Sequence, residues 1–234
     1  MSFAALPDRL AEVRAEIARR QAAGGWTHPV TIVAVTKGFG PDAVMAALAA
    51  GLADIGENRV QEAVQKQEAL GARGRDLGIR WHLIGHLQRN KAKLVPGRFE
   101  LVHSVDSIEL ATELDRRAQA PLRVLLQVNA AREPQKSGCT LEEAPGLARQ
   151  IAALGHLQLE GLMTMAPLTD DEDAQRRTFR SLRALRDTIK EEGVWLPTLS
   201  MGMSADYATA VAEGATVIRL GTVLFGAREK ETTP

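Results

Sequence analysis

Cysteine is nearly absent from this sequence: Cys139 is the only one among 234 residues. An internal disulfide framework is therefore excluded, as is a cysteine-rich metal site, and the composition suits a reducing cytoplasm. An excess of charge of either sign is missing too, because 29 Lys and Arg balance 29 Asp and Glu. No global field draws nucleic acid or an anionic membrane to the chain, and no basic run interleaved with aromatics takes its place. No apolar run approaches the roughly 20 residues that a membrane helix needs, and the N-terminus lacks the positive-then-apolar pattern of a signal peptide. A cytoplasmic protein is expected. His28, His86, His103 and His156 show no metal-ligand spacing and read as scattered surface or loop residues. Gly38-Phe-Gly40 lacks the full dinucleotide-binding pattern Gly-x-Gly-x-x-Gly.

What is present begins with Thr31-Ile-Val-Ala-Val-Thr-Lys37. Its first six residues are β-branched or Ala, which predicts a strand buried on both faces. Lys37 follows directly, then Gly-Phe-Gly-Pro-Asp, a turn whose Pro41 suits the start of a helix. An amine where an apolar strand gives way to a loop is expected to be partly desolvated. Desolvation favours the neutral, nucleophilic form that condenses with aldehydes. A solvated lysine at a strand end is the plainer alternative.

The pattern then repeats. Short apolar strands are predicted at 31–36, 53–56, 80–85, 101–105, 122–128, 157–163, 198–200 and 216–220, with helical segments between them and an amphipathic helix over 7–23 in front. Ser107 is a predicted helix cap, and Thr140-Leu-Glu-Glu143 a capping box. The glycine-rich stretch 71–78 reads as a loop, and the charged run 170–177 as a solvated helix face. Eight strands alternating with helices predict an α/β fold, a (β/α)8 TIM barrel with an extra N-terminal helix, formed as one domain over 1–234. A doubly wound open sheet is the alternative.

In a barrel the chemistry occurs at the C-terminal ends of the strands. That rule gathers Lys37, Asn58, His82, Ser104, Asn129, Met163, the segment Ser200-Met-Gly-Met-Ser204 and the segment Arg219-Leu-Gly-Thr222. The last two offer hydroxyls and backbone amides after strands seven and eight, the usual phosphate position in this fold.

Ala34-Val-Thr-Lys-Gly38, Gly56-Glu-Asn-Arg-Val-Gln-Glu62, Trp81-His-Leu-Ile-Gly-His-Leu-Gln-Arg-Asn-Lys91, Lys136-Ser-Gly138, Gly161-Leu-Met-Thr-Met165, Leu199-Ser-Met-Gly-Met-Ser-Ala-Asp206 and Ile218-Arg-Leu-Gly-Thr-Val-Leu-Phe-Gly226 occur in this order. Together they resemble the pyridoxal-phosphate homeostasis proteins, over residues 8 to 228. The resemblance implies a barrel like the N-terminal domain of alanine racemase, with pyridoxal 5′-phosphate (PLP) as cofactor and Lys37 as its Schiff-base lysine. It further implies that Ser204, Gly221 and Thr222 hold the phosphate, that Arg219 faces the pyridine nitrogen, and that Asn58, His82 and Met201 line the cofactor face. Arg59 stands where many such proteins carry an aromatic residue.

An arginine at the pyridine nitrogen opposes its protonation and so weakens the ring as an electron sink. Alanine racemase works with such an arrangement but draws a tyrosine base from a second domain. This chain ends eight residues after Gly226, and its one tyrosine, Tyr207, lies in the helix after strand seven. The resemblance therefore points to a monomer that carries or buffers PLP, partnered by PLP-dependent apo-enzymes, without catalytic turnover. A PLP-dependent amino-acid racemase, a cofactor-free Schiff-base aldolase and a non-catalytic scaffold are the alternatives.

Overall fold

The structure, a computed structural model, describes residues 3–227, with the side chains at 73 and 75 outside the description. Eight parallel strands close into a barrel in sequence order: β1 (Thr31–Val35), β2 (Asp54–Glu57), β3 (Arg80–Leu83), β4 (Leu101–Val105), β5 (Leu122–Gln127), β6 (Leu157–Met163), β7 (Thr198–Met203) and β8 (Val217–Leu220). The ring is sealed by β1 against β8, in a register running from Thr31 opposite Val217 to Ala34 opposite Leu220. An open sheet has no such pairing, so the doubly wound alternative is excluded.

Helices α1 (Leu6–Gly24), α2 (Pro41–Ala49), α3 (Val60–Asp76), α4 (Ile108–Arg117), α5 (Ala144–Ala152), α6 (Glu172–Glu191), α7 (Tyr207–Ala212) and α8 (Thr222–Phe225) accompany the strands. The apolar stripe of α1 buries Leu6, Leu10, Val13 and Ile17, at the three- and four-residue spacing of one helix face, and packs on α7 and α8. The hydrogen bonds predicted for both caps form, at the N-cap of α4 for Ser107 and in the turn just before α5 for Thr140 and Glu143. Ser107 Oγ accepts from Leu110 N at 3.4 Å. Thr140 Oγ1 accepts from Glu143 N at 3.2 Å while Glu143 Oε2 accepts from Thr140 N at 2.9 Å.

Three segments differ from expectation. The stretch 71–78 is not a plain loop, because helix resumes after Gly71, whose φ of 53° and ψ of −139° interrupt α3 for one residue. Such angles suit a residue without a Cβ. The segment after β3 is a 3-10 helix, Arg89–Leu94. Strand β7 runs three residues beyond Ser200, to Met203.

The main apolar core lies between strands and helices, with Phe179, Leu182, Ile151 and Leu114 among its fully buried members. The other face of the strands lines the barrel interior. There Leu101, Leu125 and Met163 form a small separate apolar cluster, and much of the remaining lining is polar. At the N-terminal base Arg80 pairs with Asp54, and Arg123 with Glu100 and Glu160. Among the described residues no helix is long and apolar enough to cross a membrane.

Candidate functional site

Lys37 stands in the turn between β1 and α2, one residue past the buried Thr36, and Gly38 continues the turn at φ 72°. Its side chain is exposed. The expected partial desolvation of Lys37 is thus not found: the apolar strand ends at Val35, and the backbone turns outward before the amine.

The residues on either side of Lys37 are instead held from beneath. Lys66 Nζ, on α3, donates to the Thr36 carbonyl at 2.7 Å, to Glu57 Oε1 at 2.5 Å and to Glu62 Oε1 at 3.0 Å. Thr36 Oγ1 donates to Glu57 Oε1 at 2.5 Å, and the Gly38 N–H donates to Glu62 Oε1 at 2.6 Å. Glu57 is fully buried at the end of β2, and its Oε2 has no hydrogen-bond partner among the described residues. Burial pushes the Glu57 pKa up, against the opposing pull of the Lys66 and Thr36 hydrogen bonds. Backbone groups before and after Lys37 are therefore fixed by charged partners while its side chain is exposed. Lys66 and Glu62 were not foreseen as site residues. Their i, i+4 spacing on α3 was the available signal.

Next to this turn lies an anion-suited corner. The β1–β8 register, continued by one residue, sets Val35 beside Gly221, where an added Cβ would come within 3.5 Å of the Val35 carbonyl. Ser204 Oγ accepts from Gly221 N at 3.1 Å and Val223 N at 3.3 Å, which ties the segment after β7 to the start of α8. Thr222 is exposed beside it. Asp206, buried, accepts from Met203 N at 2.5 Å and shapes the preceding bend.

Below the mouth the barrel interior holds a continuous line of hydrogen bonds. Arg219 donates through Nη1 to Ser200 Oγ at 2.7 Å and through Nη2 to the Thr164 carbonyl at 3.0 Å. Ser200 Oγ lies 2.8 Å from His103 Nδ1, His103 Nε2 lies 2.9 Å from His82 Nδ1, and His82 Nε2 lies 3.0 Å from Asp54 Oδ1. Burial lowers the Arg219 pKa to about 10, with Asp206 partly opposing the shift. Among the described residues Arg219 has no carboxylate hydrogen-bonded to it. A buried cation without a carboxylate partner is expensive to keep and suits a neutral acceptor.

The structure thus brings Lys37, Ser204, Gly221 and Thr222 to one side of the mouth, with Asn58 half-buried at the end of β2 and Arg219 beneath. Two expected members lie elsewhere. Met201 is fully buried in the main core, because β7 remains a strand there and alternation turns Met201 away from the interior that Ser200 faces. His82 is sunk in the barrel with both ring nitrogens engaged. His103, read from the sequence as a surface or loop residue, is wholly buried in β4. Cys139 is buried, and desolvation raises its pKa to about 12, in keeping with an inert thiol.

The geometry can be set beside known proteins. The family model for the alanine racemase N-terminal domain matches residues 9–229. A pyridoxal phosphate homeostasis protein of Pseudomonas aeruginosa is 43% identical over 228 residues, covering 96% of each chain. The chain belongs to the pyridoxal phosphate homeostasis protein family. PipY of Synechococcus elongatus PCC7942, a solved structure with PLP bound, is 37% identical, with a TM-score of 0.82 over 94% of this chain and 100% of that one. Alanine racemase from Corynebacterium glutamicum shares the fold, with a TM-score of 0.68 at 18% identity over 94% of this chain and 63% of that one. For this member of the family, the TIM barrel and the kinship with alanine racemase expected from the sequence are both found.

Proposed function

We propose that this chain binds pyridoxal 5′-phosphate reversibly at the barrel mouth, through a Schiff base with Lys37, and carries or buffers it for PLP-dependent apo-enzymes without catalytic turnover. In this reading it is a single-domain, monomeric protein of the cytoplasm. The family relatives are named for pyridoxal phosphate homeostasis, and PipY has been solved with PLP bound. The observation that carries the reading is the adjacency of three unlike features: an exposed amine on a braced turn, a hydroxyl-and-amide corner beside it, and a buried guanidinium below with no carboxylate hydrogen-bonded to it among the described residues.

When bound, the cofactor supplies an aldehyde that condenses with an amine, releasing water, and a pyridine ring that draws electrons when its nitrogen is protonated. The chain's own residues fit the first property better than the second. Ser204, whose oxygen already accepts from the Gly221 and Val223 amides, keeps its hydroxyl hydrogen for a phosphate, Gly221 and Thr222 stand beside it as the other phosphate neighbours, and Asn58 borders the ring. Arg219 donates only, so it favours an unprotonated ring nitrogen and opposes the electron sink. The only tyrosine, Tyr207, is packed toward α1, where Glu16 and Arg20 are its charged neighbours, and so is not placed to act as a base at the mouth.

Borohydride reduction of the PLP-treated protein should fix the cofactor to one peptide, the one containing Lys37. Mapping to any other lysine rejects the assignment. Arg219→Glu should protonate the ring nitrogen and change the absorption spectrum of the bound cofactor. An unaltered spectrum, with binding retained, would remove Arg219 from the ring nitrogen.

A further inference from the structure

The line of hydrogen bonds inside the barrel has a direction. Asp54, as a carboxylate, only accepts, and the Arg219 guanidinium only donates. Between them stand two imidazoles and a hydroxyl, each ring with one donor and one acceptor when neutral. Only one neutral arrangement satisfies every link. His82 donates from Nε2 to Asp54 and accepts at Nδ1, His103 donates from Nε2 and accepts at Nδ1, and Ser200 donates its hydroxyl to His103 while its oxygen receives Arg219. His103 is completely enclosed, and desolvation, with the positive charges of Arg219 and Arg123 nearby and that of His82 whenever it is protonated, pushes its pKa well below the ordinary range, which keeps it neutral.

A proton added to His82 reverses part of this order. His82 Nδ1 becomes a donor, so His103 must accept at Nε2 and carry its own proton on Nδ1. Ser200 Oγ then receives both His103 and Arg219, and its hydroxyl hydrogen is left without an acceptor in the line, an expensive state for a buried group. Arg219 shares an acceptor that it previously held without a competing donor. The two ends of the barrel are thereby linked through five side chains on β2, β3, β4, β7 and β8.

We propose that this relay makes His103 a positioning residue for Arg219, and that protonation of His82, near the base, and binding of a neutral acceptor by Arg219, at the mouth, oppose each other. The second half rests on the reading that Arg219 faces the pyridine nitrogen of PLP, whereas the tautomer order rests on the hydrogen bonds alone. The charged groups bearing on the relay are Arg80 against Asp54, Arg123 near His103, and Asp206 near Arg219. Of these, Asp54 is the one in direct contact with His82. It is also at the opposite end of the barrel from the mouth, so its alteration leaves every proposed cofactor contact in place.

Nitrogen-15 NMR of histidine-labelled full-length protein tests this without cofactor first. Near neutral pH His103 should carry its proton on Nε2, and a proton on Nδ1 overturns the relay. On acidification the His103 tautomer should reverse, and Asp54→Asn, which keeps the hydrogen bond but loses the charge, should move that reversal to lower pH. An unmoved reversal overturns the role of Asp54. PLP should then lower the reversal by about one pH unit in the parent protein, corresponding to roughly tenfold coupling. Bound PLP with an unchanged reversal overturns the coupling, while a failure of PLP to bind overturns the functional reading and with it this half, leaving the tautomer order to be judged on the ligand-free measurements.

Discussion

Asp54 illustrates how single buried charges are settled in this barrel. Burial alone would raise its pKa, but hydrogen bonds from His82 and Arg80 outweigh that cost and bring it to about 2, from an ordinary value of 3.8. A carboxyl whose pKa is depressed on folding stabilises the folded state above its unfolded pKa, and that contribution is lost as pH falls through the folded value. Asp54 is therefore expected to contribute about 2 kcal/mol at neutral pH that disappears between about pH 4 and pH 2. Urea unfolding measured across that window should show a shallower pH dependence in Asp54→Asn than in the parent protein. Equal slopes would mean that the carboxylate is not held by these partners. The same scale separates Lys37 from Lys66. Both are lysines near the end of β1, yet one is exposed and the other is nearly enclosed with three oxygen acceptors.

At the scale of elements, α3 is the brace of the candidate site. Its Glu62 and Lys66 reach across to the backbone on both sides of Lys37, and Lys66 also neutralises the buried Glu57. Removing one partner of such a pair leaves an uncompensated buried charge, so Lys66→Met should destabilise the fold by about 3 kcal/mol. Adding Glu57→Gln should recover part of the loss in denaturant titrations; no recovery would show that the pair is not the source. Local signals exposed some of this scale and concealed the rest. Thr140 and Glu143 are three residues apart and bond each other as their spacing predicts, in the turn that leads into α5. Gly71 was legible as a breaker, but helix on both sides of it was not, since one left-handed residue redirects a helix without ending it. Strand β7 runs past its expected end at Ser200 through Gly202, whose φ of 97° and the close approach of Ala210 and Tyr207 make it a tightly packed point within the strand.

For the whole molecule, barrel closure sets which changes are tolerated. A methyl at Gly161 in β6 would overlap the Thr198 carbonyl of β7, so Gly161→Ala must force the two strands apart. Gly146 in α5 faces open space, and alanine there improves helix propensity. Thermal unfolding should place Gly161→Ala at least about 2 kcal/mol below the parent and Gly146→Ala up to about 1 kcal/mol above it. The reverse order would contradict the β6–β7 packing.

By itself the sequence determined the alternation of strands and helices, the caps, the extra N-terminal helix and the motifs that mark the family, because each is written in neighbouring residues. Only the tertiary structure decided which side chains face the barrel interior. Because β7 runs on past Ser200 to Met203, alternation places Ser200 in the barrel interior and Met201 in the outer core. His103 and Ser200 are 97 positions apart and meet because the barrel closes, so no local pattern could have shown their hydrogen bond. The amine of Lys37 was visible at once, but the brace that positions its turn, and the relay beneath it, exist only where distant strands and helices converge.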